Sequence, residues 1–123
     1  MKKTMVLVTL AIAFPVFAGW TRFDSNDKAT RYIDVDSVVH SPPLLRVWSF
    51  LDFRRPLGSD RSMRLLYEIN CKEMKLRVLS VEGFTGQMLA GDVSRGPGWN
   101  KPGEWEYIAP GSASENLFKY NCK

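Results

Sequence analysis

The chain has 123 residues, 45% hydrophobic and 24% charged, with 17 Lys and Arg against 13 Asp and Glu for a formal charge of +4. That length fits one domain with a modest core. Two of the cations, Lys2 and Lys3, stand ahead of an apolar run, and without them the +4 falls to +2, a balance that gives no basis for a nucleic-acid partner.

The first element is an export signal. Lys2 and Lys3 form a short positive region, Met5 to Phe14 is apolar, and Val16 to Ala18 supplies a cleavage site. The apolar stretch is shorter than the roughly 20 residues that span a bilayer. The spacing therefore predicts a cleavable signal peptide over residues 1–18 and a single mature domain over 19–123. No cysteine follows Ala18, so no lipid anchor is expected there, and nothing later is apolar enough to form a membrane span.

Strand signals dominate the rest. A first strand is predicted over Gly19–Phe23, followed by the turn-forming Asp24–Lys28. A second runs over Ala29–Asp34, and Asp36 is expected to cap a short turn through Val39. Pro42 and Pro43 bar a helix at that point. Leu44–Phe53 (LLRVWSFLDF) is the strongest strand, rich in aromatic and branched residues. Arg54–Ser62 reads as a polar loop. Met63–Cys71 alternates, with Leu65, Tyr67, Ile69 and Cys71 on one face and Arg64, Leu66, Glu68 and Asn70 on the other. After a turn near Lys72 and Glu73 a strand continues to Glu82, a hairpin loop covers Gly83–Gly86, and Gln87–Val93 is expected to return as a strand. Ser94–Gly103 is Gly- and Pro-rich and irregular, pinned to the body by Trp99 and Trp105. Pro110–Cys122 is the one predicted helix: Ser112 and Glu115 have capping-box spacing, and Ala113, Leu117, Phe118 and Tyr120 supply an apolar side. The order implies an α+β fold, a single antiparallel sheet with a C-terminal helix packed on one face.

Cys71 and Cys122 are the only cysteines, and an even count in an exported chain predicts a disulfide. A thiol nucleophile is then ruled out. Catalysis finds little else. His40, the single histidine, sits in a turn before two prolines and reads as a solvated loop residue. Asp34 and Asp36 fit a strand end and a cap better than a paired-carboxylate site. Zinc spacing, an EF-hand loop and a Gly-rich phosphate loop are all missing from the pattern. The residues by themselves point to no enzyme, metal site or cofactor.

One charge grouping points to binding. Arg46, Arg54, Arg55, Arg61 and Arg64 fall on two neighbouring strands and the loop between them, with Trp48 among them. If those strands pair as a hairpin, the arginines gather near one end of the sheet. Cationic side chains with Trp48, Phe50 and Phe53 nearby suit docking to an acidic partner or polyanion.

An ordered set of residues resembles the surface-adhesin protein E family of exported bacterial proteins. It comprises Trp20, YIDVDSV at Tyr32–Val38, RVW at Arg46–Trp48 and YEINC at Tyr67–Cys71. KLRVLS at Lys75–Ser80, Met88 with Gly91, Trp105, APGS at Ala109–Ser112 and Cys122 complete it. The resemblance implies an antiparallel sheet with a packed C-terminal helix, and binding of host matrix proteins such as vitronectin and laminin. It also implies haem binding, for which His40, Tyr67 or a Met would be the axial ligand, and a dimer, which an exposed edge strand would allow. The resulting expectation is an exported, non-enzymatic binding module engaging a host matrix protein. The alternative is a soluble periplasmic structural or accessory protein that contacts a component of the cell envelope.

Overall fold

The computed structural model describes residues 19–96 and 102–123. The predicted signal peptide and Trp99 lie outside the described residues. Eight strands form one antiparallel sheet: β1 (Trp20–Ser25), β2 (Ala29–Asp34), β3 (Val39–Ser41), β4 (Leu44–Leu57), β5 (Asp60–Asn70), β6 (Lys75–Phe84), β7 (Val93–Arg95) and β8 (Glu106–Tyr107). The order is β1-β2-β4-β5-β6-β7, with β3 on β4 and β8 on β6. One α-helix among the described residues, α1 (Ala113–Asn121), follows. This is the architecture read from the sequence.

The helix packs on one face over a core of Ile33, Leu45, Val47, Ile69, Leu76 and Leu117. Leu117 is 2% exposed, whereas Tyr120, expected on the apolar side, is 40% exposed. Ser112 caps the helix, its Oγ accepting the Glu115 amide at 3.2 Å. The Glu115 carboxylate reaches one residue further back than a capping box requires, to the Gly111 amide at 3.3 Å. Cys122 is disulfide-bonded to Cys71, with a Cα separation of 5.5 Å across 51 residues of chain. Closing that loop is worth about 4 kcal/mol through the unfolded state.

Four local expectations are corrected. Arg54–Ser62 is not an open loop: β4 runs on to Leu57 and β5 starts at Asp60. Gly58, at φ +63°, lets two residues reverse the chain. The ladder is interrupted between Asp52 and Leu57, so Pro56 costs no sheet hydrogen bond. The return strand does not begin at Gln87: it is the short β7, which starts at Val93. Residues 85–92 close into a loop through Thr85 N to Asp92 O (2.9 Å) and Gly86 N to Ala90 O (2.9 Å). Gln87–Leu89 makes a 3-10 turn there. The short turn after β2 is capped by Asp34, which accepts the Asp36 amide at 3.1 Å, and not by Asp36. Finally, His40 is not in a loop but on β3, paired opposite Leu45.

Candidate functional site

The sheet has one face under the helix and one without it. On the uncovered face the register aligns side chains in cross-strand rows. One row is Arg46, Glu68 and Arg77; the next is Trp48, Leu66 and Ser80; the third is Tyr32, Phe50, Arg64 and Glu82. These residues share a face because strand side chains alternate with a period of two. A bulge in β6, where Tyr67 pairs with Val78 but Leu66 with Ser80, keeps the third row in step.

Each arginine of these three rows is answered by a carboxylate. Glu68 is 3% exposed and takes Arg46 Nε at 3.0 Å and Arg77 Nη2 at 2.6 Å. Burial alone would raise its carboxyl pKa. The hydrogen bonds from Arg77 and Arg46, and their charges, outweigh that and hold it below the usual carboxylate range. Arg64 donates to Glu82 at 2.8 Å and lies over the Trp48 ring at 4.8 Å. Trp105 sits under Arg77, 4.5 Å from guanidinium to ring centre, and so does fasten its segment to the sheet. Beside them Phe50 stacks on Tyr32 at 4.4 Å and meets Trp20 edge-on at 4.7 Å.

The edge of the face is held by backbone. Trp48 falls where β4 changes neighbour from β2 to β3, and its amide is satisfied by the Ser37 hydroxyl at 3.1 Å. At the opposite end the loop 85–92 is clasped to the sheet: Asp52 accepts the Met88 amide at 2.8 Å and Ser62 the Leu89 amide at 2.9 Å. Met88 and Leu89 both have positive φ, so these two clasps hold a conformation that non-glycine residues rarely adopt.

The structure divides the six residues singled out in the sequence. Arg46, Trp48 and Arg64 share the uncovered face. Arg46 stands toward the end opposite the hairpin turn, four residues along β4 from Phe50, the partner of Arg64. Arg54, Arg55 and Arg61 lie elsewhere. Arg54 bonds the β1–β2 turn, Nε to Asn26 O at 2.7 Å and Nη2 to Ser25 Oγ at 3.0 Å. Arg55 borders a hollow beside β2. Arg61 is half-buried, its Nε enclosed without a hydrogen-bond partner. Arg77, Glu68, Glu82 and Trp105 belong to the site and were not singled out. The alternation of β5 already put Glu68 beside Arg64; the β6 bulge and the path of the segment to Trp105 leave no such pattern.

Of the side chains considered as haem ligands, His40 borders a hollow of about 380 Å³ beside the disulfide. Tyr67, its phenol pKa pushed up by burial against the lowering charge of Arg31, borders another of about 270 Å³ under the helix. The two do not converge on one pocket. Both cysteines are in the disulfide.

A model of the family described as surface-adhesin protein E matches residues 20–123. Solved structures with the same fold include the selenomethionine form of protein E from Haemophilus influenzae, with a TM-score of 0.69 at 20% identity over 87% of this chain and 88% of that one. Crystal form II of the same protein gives 0.66 at 19% identity, over 87% and 89%. Protein E from non-typeable Haemophilus influenzae gives 0.66 at 19%, over 87% and 77%. At these identities the likeness is one of fold. No match was found among curated protein sequences.

Proposed function

Because this chain belongs to the surface-adhesin protein E family, we propose that residues 19–123 act as an exported, non-catalytic binding module that docks a protein partner on the uncovered sheet face. The observation that carries this reading is the pairing of Trp48 and Arg64 on a face the helix leaves bare, flanked by the half-exposed Arg46. Aromatic and arginine side chains held rigid on a sheet lose little entropy on docking, and such residues dominate binding hot spots. Arg46, Arg64 and Arg77 already have carboxylate partners, so the attraction there is aromatic and geometric first and cationic second. No helix among the described residues is long and apolar enough to cross a membrane.

The partner we propose is a host matrix protein reached at the cell surface. Two experiments test this. Protease added to intact cells should cleave the protein, whereas protection until lysis would overturn the surface reading in favour of a soluble periplasmic accessory role. Purified protein should bind immobilised matrix proteins such as vitronectin and laminin, and Trp48→Ala with Arg64→Ala should abolish binding while circular dichroism stays unchanged. Retained binding in that variant would show that the partner docks elsewhere.

A further inference from the structure

The helix is too short to cover its own face. Its 9 residues span about 13 Å, while the 14 residues of β4 span about 46 Å. Helix and disulfide cover the end that carries Leu45, Val47 and Ile69. At the other end β2 stops at Ala29, paired with Phe53, and β4 runs four residues past it. The overhang and the β1–β2 turn frame a hollow of about 590 Å³, within the usual range for small-molecule sites.

Its lining is amphipathic. Ala29, Phe53, Pro56 and Leu57 supply apolar surface; Lys28, Arg31 and Arg55 supply cations, and Asp27 the one carboxylate. Leu57, 60% exposed at the overhang, extends the apolar wall of the hollow to its rim. Arg31 is paired with Asp24, Nε to Oδ2 at 3.4 Å, but that Nε is enclosed and has no aligned hydrogen bond. Among the described residues, Lys28 and Arg55 have no ion pair at all. Unpaired positive charge thus collects beside apolar surface, the reverse of the uncovered face.

We infer that this hollow binds a single-chain aliphatic carboxylate, a fatty acid, with its tail against Phe53, Pro56 and Leu57 and its head among Lys28, Arg31 and Arg55. The charge selects the head and the apolar wall selects the tail. This site lies on the helix side of the sheet, and it stands or falls independently of partner docking on the other face.

The probe is laurate, titrated into the full mature domain below its micellar concentration and followed by calorimetry and by amide chemical shifts. Laurate is expected to bind and to shift the amides of Ala29, Phe53 and Leu57. Acetate, the head without the tail, and dodecyltrimethylammonium, the tail with the opposite charge, are expected not to. Lys28→Ala with Arg55→Ala should weaken laurate by about tenfold or more, about 1.4 kcal/mol or more. Leu57→Asp, at an exposed position, should do the same without unfolding the domain, and Trp48→Ala should leave laurate binding alone. Failure of laurate to bind would overturn the inference. So would equal binding of the cationic amphiphile, shifts confined to the other face, or indifference to the Lys28 and Arg55 changes.

Discussion

Two groups of cations on one sheet illustrate opposite uses of charge. On the uncovered face Arg46, Arg77 and Arg64 are committed to Glu68 and Glu82, and two of them lie against tryptophan rings. At the β2–β4 corner Lys28 and Arg55 have no ion pair among the described residues and border a hollow with an apolar wall. The first group is a built surface, in which charge fixes the geometry of aromatic side chains. The second leaves charge free for an incoming anion. The sequence puts Arg46, Arg55 and Arg64 in one cluster; only the carboxylates opposite Arg46 and Arg64 tell them from Arg55.

That comparison can be broken or sharpened in order of expected effect. The disulfide is the common reference, because it supports both regions through the fold. Cys71→Ser with Cys122→Ser should cost about 4 kcal/mol, read from the denaturant midpoint, and should weaken both kinds of binding together. Glu68→Ala comes next. It strips Arg46 and Arg77 of their shared carboxylate and should cost about 1.5–3 kcal/mol, at the lower end because Arg46 is 56% exposed. Loss of only a few tenths would mean that the row is ornamental.

Acid offers a subtler probe of the same row. Glu68 has its carboxyl pKa lowered from 4.5 in the folded state. Its contribution to stability is therefore fully present above that unfolded value and is lost as pH falls through the folded one. Wild-type protein should lose stability below about pH 4.5, and Glu68→Gln should flatten part of that slope. An unchanged slope would move the acid sensitivity to another carboxylate. The smallest effect is expected at the corner: Lys28→Ala and Arg55→Ala should each change stability by no more than about 0.5 kcal/mol, since neither has an ion pair to lose. A larger loss would mean that these cations already have a structural task, and the corner would then resemble the face.

The alternation of Met63–Cys71 was enough to separate the core side, Tyr67, Ile69 and Cys71, from the outer side, Arg64, Leu66 and Glu68. The Ser112 cap and the helix it opens were equally legible, because capping is a contact between near neighbours in sequence. Turn chemistry was less so. The run RRPLGSD looks like a loop by composition, yet a two-residue reversal at Gly58 and Ser59 lets both flanks continue as strands. Residues 87–92 read as a return strand only by their place after a hairpin loop, and the clasps from Asp52 and Ser62 that fold them into a loop come from distant strands that local propensity does not register.

The sequence by itself determined the antiparallel sheet with its C-terminal helix, the Cys71–Cys122 link and the sidedness of the central strands. Each of these follows from short-range periodicity, capping or a count of two cysteines. Tertiary structure alone decided which arginines are neutralised, which aromatic rings they hold and where the helix stops covering the sheet. Those outcomes depend on register between strands tens of residues apart. A shift of one residue in that register would send every side chain to the other face.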